Sequence, residues 1–358
     1  MLAKNKKIKI ALLFGGRSAE HEISLLSASA IYRHLNREKY EVFSLYLPRQ
    51  GGWKIVPSPL LPLQELEKGG ALSLLPWDQG ANFSSLEADV YFPILHGPYG
   101  EDGTIQGMLE LAGVPYVGPG VLASALGMDK VAMKAAFAAR QLPLVRFLSF
   151  MEADWLERPE EIIAETRASL PLPLFIKPAN LGSSVGVTKV KTWAELKPAL
   201  ELAFSYDRKI LVEEGISARE IECSVLGNDQ PRASLPGEVI PFREFYDYQD
   251  KYLEGKTEFK IPADLSSQQI IEVQHLAIEA YKAIDCSGMA RVDLFFERRQ
   301  EAFYVNEVNT IPGFTEISMY PKLWEVSGLP FSELLDELIS LAFERHEKKK
   351  RCLTPDLK

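Results

Sequence analysis

Cysteine is scarce in this chain. The 358 residues hold three, Cys223, Cys286 and Cys352, far apart and in no CxxC pair. That spacing excludes a disulfide scaffold or a cysteine zinc site and fits a reducing compartment. A basic excess is also missing: 40 Lys and Arg against 49 Asp and Glu leave a formal charge of −9. A nucleic-acid or membrane-surface protein needs a net basic face, so those classes are excluded, although a local cationic pocket is not. No apolar run approaches the length of a membrane span. The run Ile10–Phe14 is too short for a signal segment and reads as a first strand. A cytoplasmic location is therefore expected, with no nucleic-acid and no membrane partner. Three fingerprints are absent too. GGRSAE does not match GxGxxG, no lysine follows the second glycine of LGSSVG as a P-loop requires, and no GxSxG elbow occurs.

What the chain does contain is globular in proportion, 46% hydrophobic and 25% charged residues, and long enough for two or three domains. IKIALLF, Gly15-Gly16 and a segment with helical apolar spacing (Ile23, Leu26, Ala30, Ile31) read as strand, turn and helix, the opening of an α/β unit. Further strands are expected at Glu41–Leu47, Asp89–Leu95 and Val114–Val117, and a first domain ends near Pro119-Gly120. Beyond it, the pattern predicts one helix over 121–141, a second over Glu157–Ala168, the strand LPLFIKP, the loop NLGSSVG, and the strand KILVEE. A third section begins near Gly215 with the strand REIECSVLG, an aromatic loop FREFYDYQDKYLEGK, a long helix from SSQQ, two alternating strands, and a closing helix at Phe331–Glu347.

The two alternating strands, ARVDLFF and EAFYVNEVN, carry the strongest local argument. Separated by ERRQ, they read as a β-hairpin. A turn centred near Gln300 places Asp293 opposite Glu307 and Arg291 opposite Asn309, on one face. Val305 breaks the strict alternation and leaves the register open by a residue. Two facing carboxylates repel by about 1–4 kcal/mol at ~4 Å, a penalty that a hard cation removes. An oxygen-only donor set suits Mg²⁺; the other reading is a solvated strand face. The loop LGSSVG could fold its backbone over an anion, with Ser183 and Ser184 as hydroxyl donors, and Lys177 at the end of the preceding apolar strand suggests an anionic partner. The alternative is a hairpin turn with a snorkelling lysine. In ILVEEGISAREIE, strand-end backbone and a carboxylate could read a nucleoside, or form a charged crossover. The tyrosine-rich loop could be a mobile lid or could pack its rings on the core. His96, in HGPYGEDG, is either a polar contact at a strand end or a satisfied structural histidine.

Taken together, GGRSAEHEISLLSA, HGPYGEDGTIQGMLEL, GMDKVAMK, KPANLGSSVGV, FYDYQDKY and RVDLFFERRQEAFYVNEVNTIPGFTEISMYPKLW resemble the ATP-grasp superfamily, and closely the D-alanine–D-alanine ligases, from about Lys9 to Lys348. The resemblance implies an α/β ATP-grasp fold behind an N-terminal Rossmann-like domain, with parts at 1–121, 122–214 and 215–358. It also implies ATP-dependent joining of two D-alanines through a D-alanyl phosphate, for peptidoglycan precursors. Lys130, Lys177 and Ser184 would face ATP phosphates; Glu213, Glu214 and Ile216 match the adenine hinge, and Glu220 the ribose contact. Asp293, Glu307 and Asn309 match the residues that hold two Mg²⁺, with Mn²⁺ as an alternative ion. Glu20 matches the carboxylate that takes the first D-alanine's ammonium, and His96 lies at the matching first-substrate position. Ser183 and Tyr252 match the partners linking loop and lid, Lys251 a lid lysine, Arg291 and Gly313 the oxyanion stabilisers, and Ser318 and Met319 contacts to the second D-alanine. Gly215 departs from relatives with a bulky aromatic there. Some relatives make an ester with D-lactate and lack the lid tyrosine; Tyr252 favours the dipeptide. A different ATP-grasp carboxylate–amine ligase is the remaining alternative. Dimerisation is common in the family, so a homodimer is a further expectation.

Overall fold

In the computed structural model the described residues are 6–73, 86–182, 185–240 and 258–353. Three sheets organise them. The first runs β4(Gly70–Leu72), β3(Trp53–Val56), β2(Tyr40–Leu47), β1(Ile8–Gly15), β5(Val90–Pro93). Its β2–β1–β5 part is parallel, with Ile10 paired to both Val42 and Val90. Both faces of β1 are covered, so Ile10 to Phe14 are all fully buried, as a near-continuous apolar run in a parallel sheet requires. Helix α1(His21–His34) follows the Gly15-Gly16 turn, where φ values of +94° and +105° demand glycine. The region 114–117 does not form the expected strand. It makes a single bridge, Tyr116 to Tyr91. Pro115 cannot donate to a ladder, and Gly113 and Gly118 both take positive φ beside it.

The second sheet, β6(Phe147–Met151), β9(Lys209–Glu214), β7(Leu174–Pro178), β8(Thr188–Val190), is antiparallel throughout. The expected helix over 121–141 is two helices, α4(Val121–Met128) and α5(Lys130–Ala139). Asp129 is extended between them, and its carboxylate accepts from Val131 and Ala132 N–H at 3.1 and 3.0 Å, so it caps the second helix. The helix expected at 157–168 likewise begins afresh at Pro159, which starts α7(Pro159–Ser169) after α6(Glu152–Glu157). Helix α8(Leu196–Phe204) covers the same apolar core.

The third sheet runs β13(Glu258–Lys260), β12(Gly237–Ile240), β10(Ala218–Gly227), β14(Gly288–Glu297), β15(Ala302–Asn309), with β11(Arg232–Ala233) beside β10. Helix α9(Ser267–Ala283) begins with a capping box, Ser266 and Gln269. It packs with α5 over the inner face of this sheet. The tail adds α10(Met319–Val326), which the sequence pattern had not suggested, and α11(Phe331–Leu353). Leu334, Leu335, Leu338 and Ile339 of α11 are buried in the same core as Ile10, Leu12 and Phe92 of the first sheet. The last helix therefore ties the third sheet to the first. Among the described residues, no helix is long and apolar enough to cross a membrane.

Candidate active site

The hairpin β14–β15 has the register expected from its alternation: Arg291 pairs with Asn309 and Asp293 with Glu307. Val305 is explained by a bulge. Leu294 pairs with Val305, so Asn306 is the extra residue and the apolar side resumes with the core. Val292, Leu294, Val305 and Val308 are buried, while Arg291, Asp293, Glu307 and Asn309 share the half-buried opposite face. Arg291 grips Asp293 with two bonds of 2.7 Å, and the Asn309 amide donates to Asp293 Oδ2 at 2.9 Å. Among the described residues there is no group of three or more His, Cys, Asp or Glu side chains placed to hold a metal. The set here is two carboxylates and an amide. All of its donors are oxygens, which fits a hard divalent cation.

A residue that motif reading missed completes this face. Glu222 of β10 lies directly opposite Asp293, is buried, and places Oε2 3.0 Å from Arg291 Nε. A carboxylate inside the otherwise apolar strand IECSVL was its available signal. Burial works against the Arg291 charge, but Asp293 and Glu222 outweigh it and raise its pKa.

Two lysines approach from the second sheet and α5. Lys130 donates to Leu181 O at 2.7 Å and lies 3.8 Å from Glu307. Lys177 donates to Glu213 Oε2 at 2.5 Å, and Lys134, one turn after Lys130 on α5, meets Glu213 Oε1 at 2.6 Å. Burial alone would raise the Glu213 pKa, but the two ammonium groups hold it down at about 2. Burial works to lower the Lys177 pKa, and Glu213 outweighs it. The Glu213 carboxylate is thus turned between two lysines. Glu214 is bonded to Arg146 at 2.6 Å, Ile216 is half-buried at the start of the turn into β10, and Glu220 adds negative potential at Lys177.

Glu20 precedes α1 at the carboxyl end of β1, and its Oε2 lies so close over Gly97 that a Cβ there would approach it to 2.8 Å; one on Gly182 would come to 3.3 Å. The first domain's carboxylate and the glycine-serine loop therefore meet. His96 is buried, with Nδ1 3.1 Å from Ile311 O and Nε2 3.1 Å from Ser27 Oγ. Both ring nitrogens have protein partners, and the ring links β5 to the chain leaving β15. Burial lowers its pKa, Glu20 opposing. Gly313 abuts Ser318 Oγ, which bonds Thr315 N at 3.0 Å. The Met319 side chain is buried against Val239 and Leu323. Ser183, Ser184, Lys251 and Tyr252 lie outside the described residues.

Glu101 of the HGPYGEDG segment is a further residue that motif reading missed. Its Oε2 accepts from Gly97 N–H at 2.6 Å. Burial, then Glu20, push its pKa up to about 8, with the Gly97 and Ile311 N–H groups opposing. A carboxyl protonated to higher pH in the folded than in the unfolded chain contributes stability fully below about 4.5, its ordinary value, and loses it as pH rises toward 8. In thermal melts from about pH 5 to 8, Glu101→Gln should therefore gain stability relative to the parent. A melting difference that stays constant over that range would refute the assignment.

Residues 9–119 match the model of the D-ala D-ala ligase N-terminus and residues 136–340 that of the D-ala D-ala ligase C-terminus. This chain belongs to the D-alanine–D-alanine ligase family. A D-alanine–D-alanine ligase of Solibacter usitatus is 49% identical over 343 residues, covering 96% of this chain and 98% of that one. One of Thermoanaerobacter pseudethanolicus is 50% identical over 359 residues, covering 97% and 99%. The solved ligase of Coxiella burnetii superposes with a TM-score of 0.85 at 39% identity, covering 97% of each chain. The VanG D-Ala:D-Ser ligase of Enterococcus faecalis gives 0.82 at 36% identity, covering 94% of this chain and all of that one. The three sheets are thus those of an ATP-grasp ligase with its N-terminal domain.

Proposed function

We infer that this chain joins two D-alanines to D-alanyl-D-alanine at the expense of ATP, the reaction that feeds peptidoglycan precursor synthesis. The observation that carries the reading is one juxtaposition. The Arg291–Asp293–Glu307–Asn309 face lies beside Lys130, while Glu20 closes over Gly97 and Gly182. A site for a triphosphate and a site for a small amino acid then share a wall.

Each residue has a task in that reaction. Lys130 and Lys177 supply positive potential to ATP phosphates in an acidic chain, and phosphoryl transfer is mostly positioning plus electrostatics. Asp293, Glu307 and Asn309 would hold two Mg²⁺, with Mn²⁺ an alternative; when bound, such ions neutralise phosphate charge. Glu20 takes the ammonium of the first D-alanine, beside His96. The carboxylate of that first D-alanine attacks the γ-phosphorus, ADP leaves, and a D-alanyl phosphate forms. The amine of the second D-alanine, placed by Ser318 and the Met319 backbone, then attacks the carbonyl carbon and phosphate departs. Arg291 and the Gly313 N–H stabilise the tetrahedral oxyanion between these events. Glu213, Glu214 and Ile216 flank the adenine and Glu220 the ribose. Ser183, Ser184, Lys251 and Tyr252 keep the roles given by family resemblance, and Tyr252 supports the dipeptide over the D-lactate ester.

The test is phosphate release with ATP, Mg²⁺ and D-alanine, against L-alanine and D-lactate, with product mass. Release that requires D-alanine, with a D-alanyl-D-alanine mass, is expected; equal release with L-alanine would overturn the reading. Lys177→Ala should weaken ATP binding by about 10- to 100-fold, the loss of one charge-assisted bond, while D-alanine binding changes by less than about twofold. Titration calorimetry with each ligand checks this, and equal losses for both would place Lys177 elsewhere.

A further inference from the structure

Lys134 has no task in the reaction above, yet its side chain is 1% exposed. Burying an ammonium is expensive unless it is paired, and Met or Leu would fill the same volume on an apolar helix face at no such cost. Its neighbours show what it is paired with. α5 presents Lys130 and Lys134 four residues apart on one face toward β9 and β15. Lys134 Nζ lies 2.6 Å from Glu213 Oε1, and Lys177 Nζ 2.5 Å from Glu213 Oε2. Glu213 is itself only 2% exposed. One buried carboxylate is therefore shared by two lysines, of which Lys177 is 14% exposed and Lys134 is not.

We propose that Lys134 is a positioning residue for nucleotide binding: it holds Glu213 through one oxygen so that Lys177 can leave the other for an ATP phosphate. The inference rests on the assignment of Lys177 as a phosphate lysine. With Lys134 in place, Glu213 keeps a buried partner after Lys177 turns away. Without it, the whole carboxylate charge is left to Lys177, and ATP has to break that pair and strand a buried anion. The charge of Lys134, and not its volume, is what matters.

ATP and D-alanine binding are measured separately by calorimetry on the full chain for Lys134→Met, Glu213→Gln, the double variant and Lys177→Ala. Lys134→Met should weaken ATP about tenfold or more while D-alanine binding moves less than about twofold. Because Lys134 acts through the Glu213 charge, the double variant should match Glu213→Gln within about threefold. A core-filling role would instead give two losses that multiply, which would overturn the proposal, as would a Lys134→Met protein that binds ATP like the parent. If Lys134→Met alone fails to fold, the double variant against Glu213→Gln carries the same comparison, since it removes the Lys134 ammonium and the Glu213 carboxylate together and leaves only the partly exposed Lys177 without that partner. A Lys177→Ala protein with unchanged ATP affinity would remove the phosphate assignment and the proposal with it; multiplying losses beside a weakened Lys177→Ala would remove the proposal alone.

Discussion

Glu307→Gln should lower kcat by several orders of magnitude. The substitution keeps the shape of the side chain and removes one of two facing carboxylates on adjacent strands. Without it, the cation loses an anionic donor, and the developing charge on the transferred phosphoryl group loses its counterweight. Stability should change little or rise slightly, because Glu307 is 26% exposed and its repulsion with Asp293 is relieved. Phosphate release at saturating ATP and D-alanine, across a Mg²⁺ titration, is the measurement. Turnover within about tenfold of the parent would show that the facing carboxylates hold no catalytic ion.

Arg291→Met should have the second largest effect, and it should act twice. As an oxyanion donor its loss should cut kcat by about 10²- to 10³-fold. As the cationic partner of Asp293 and Glu222 its loss removes the guanidinium from two carboxylates, one of them buried, at a cost of about 3–5 kcal/mol of stability. The two effects separate experimentally. Adding Glu222→Gln should recover part of the stability in urea melts and little of the turnover. If turnover returns along with stability, Arg291 organises the face and does not touch the reacting carbonyl. Glu222 and Asp293 both meet the guanidinium at Nε, at 3.0 and 2.7 Å, so Glu222 shares with Asp293 the work of holding Arg291.

Much of this site was legible because it is written at short range. A strand's period of two and a short turn fix which residues of 291–309 face each other, so the pairs Asp293–Glu307 and Arg291–Asn309 follow from alternation. Even the irregular Val305 was visible as a break in pattern, although only the backbone shows that Asn306 is the residue set aside. Less was legible where a single residue interrupts an otherwise regular pattern. Asp129 splits a continuous apolar stretch by capping, and Pro115 reduces an expected strand to a bridge.

Local patterns determined the strands, the polar face of the hairpin, the glycine turns and the ordered blocks that mark a D-alanine–D-alanine ligase. They do so because side-chain periodicity and turn chemistry act over a few residues. Only the tertiary structure decided that Glu20 closes on Gly182, that Glu213 lies between Lys134 and Lys177, that Glu222 backs Arg291, and that α11 packs against the first sheet. Those contacts join residues tens to hundreds of positions apart. Burial and charge pairing choose them, and neither has a period that a single chain of letters can carry.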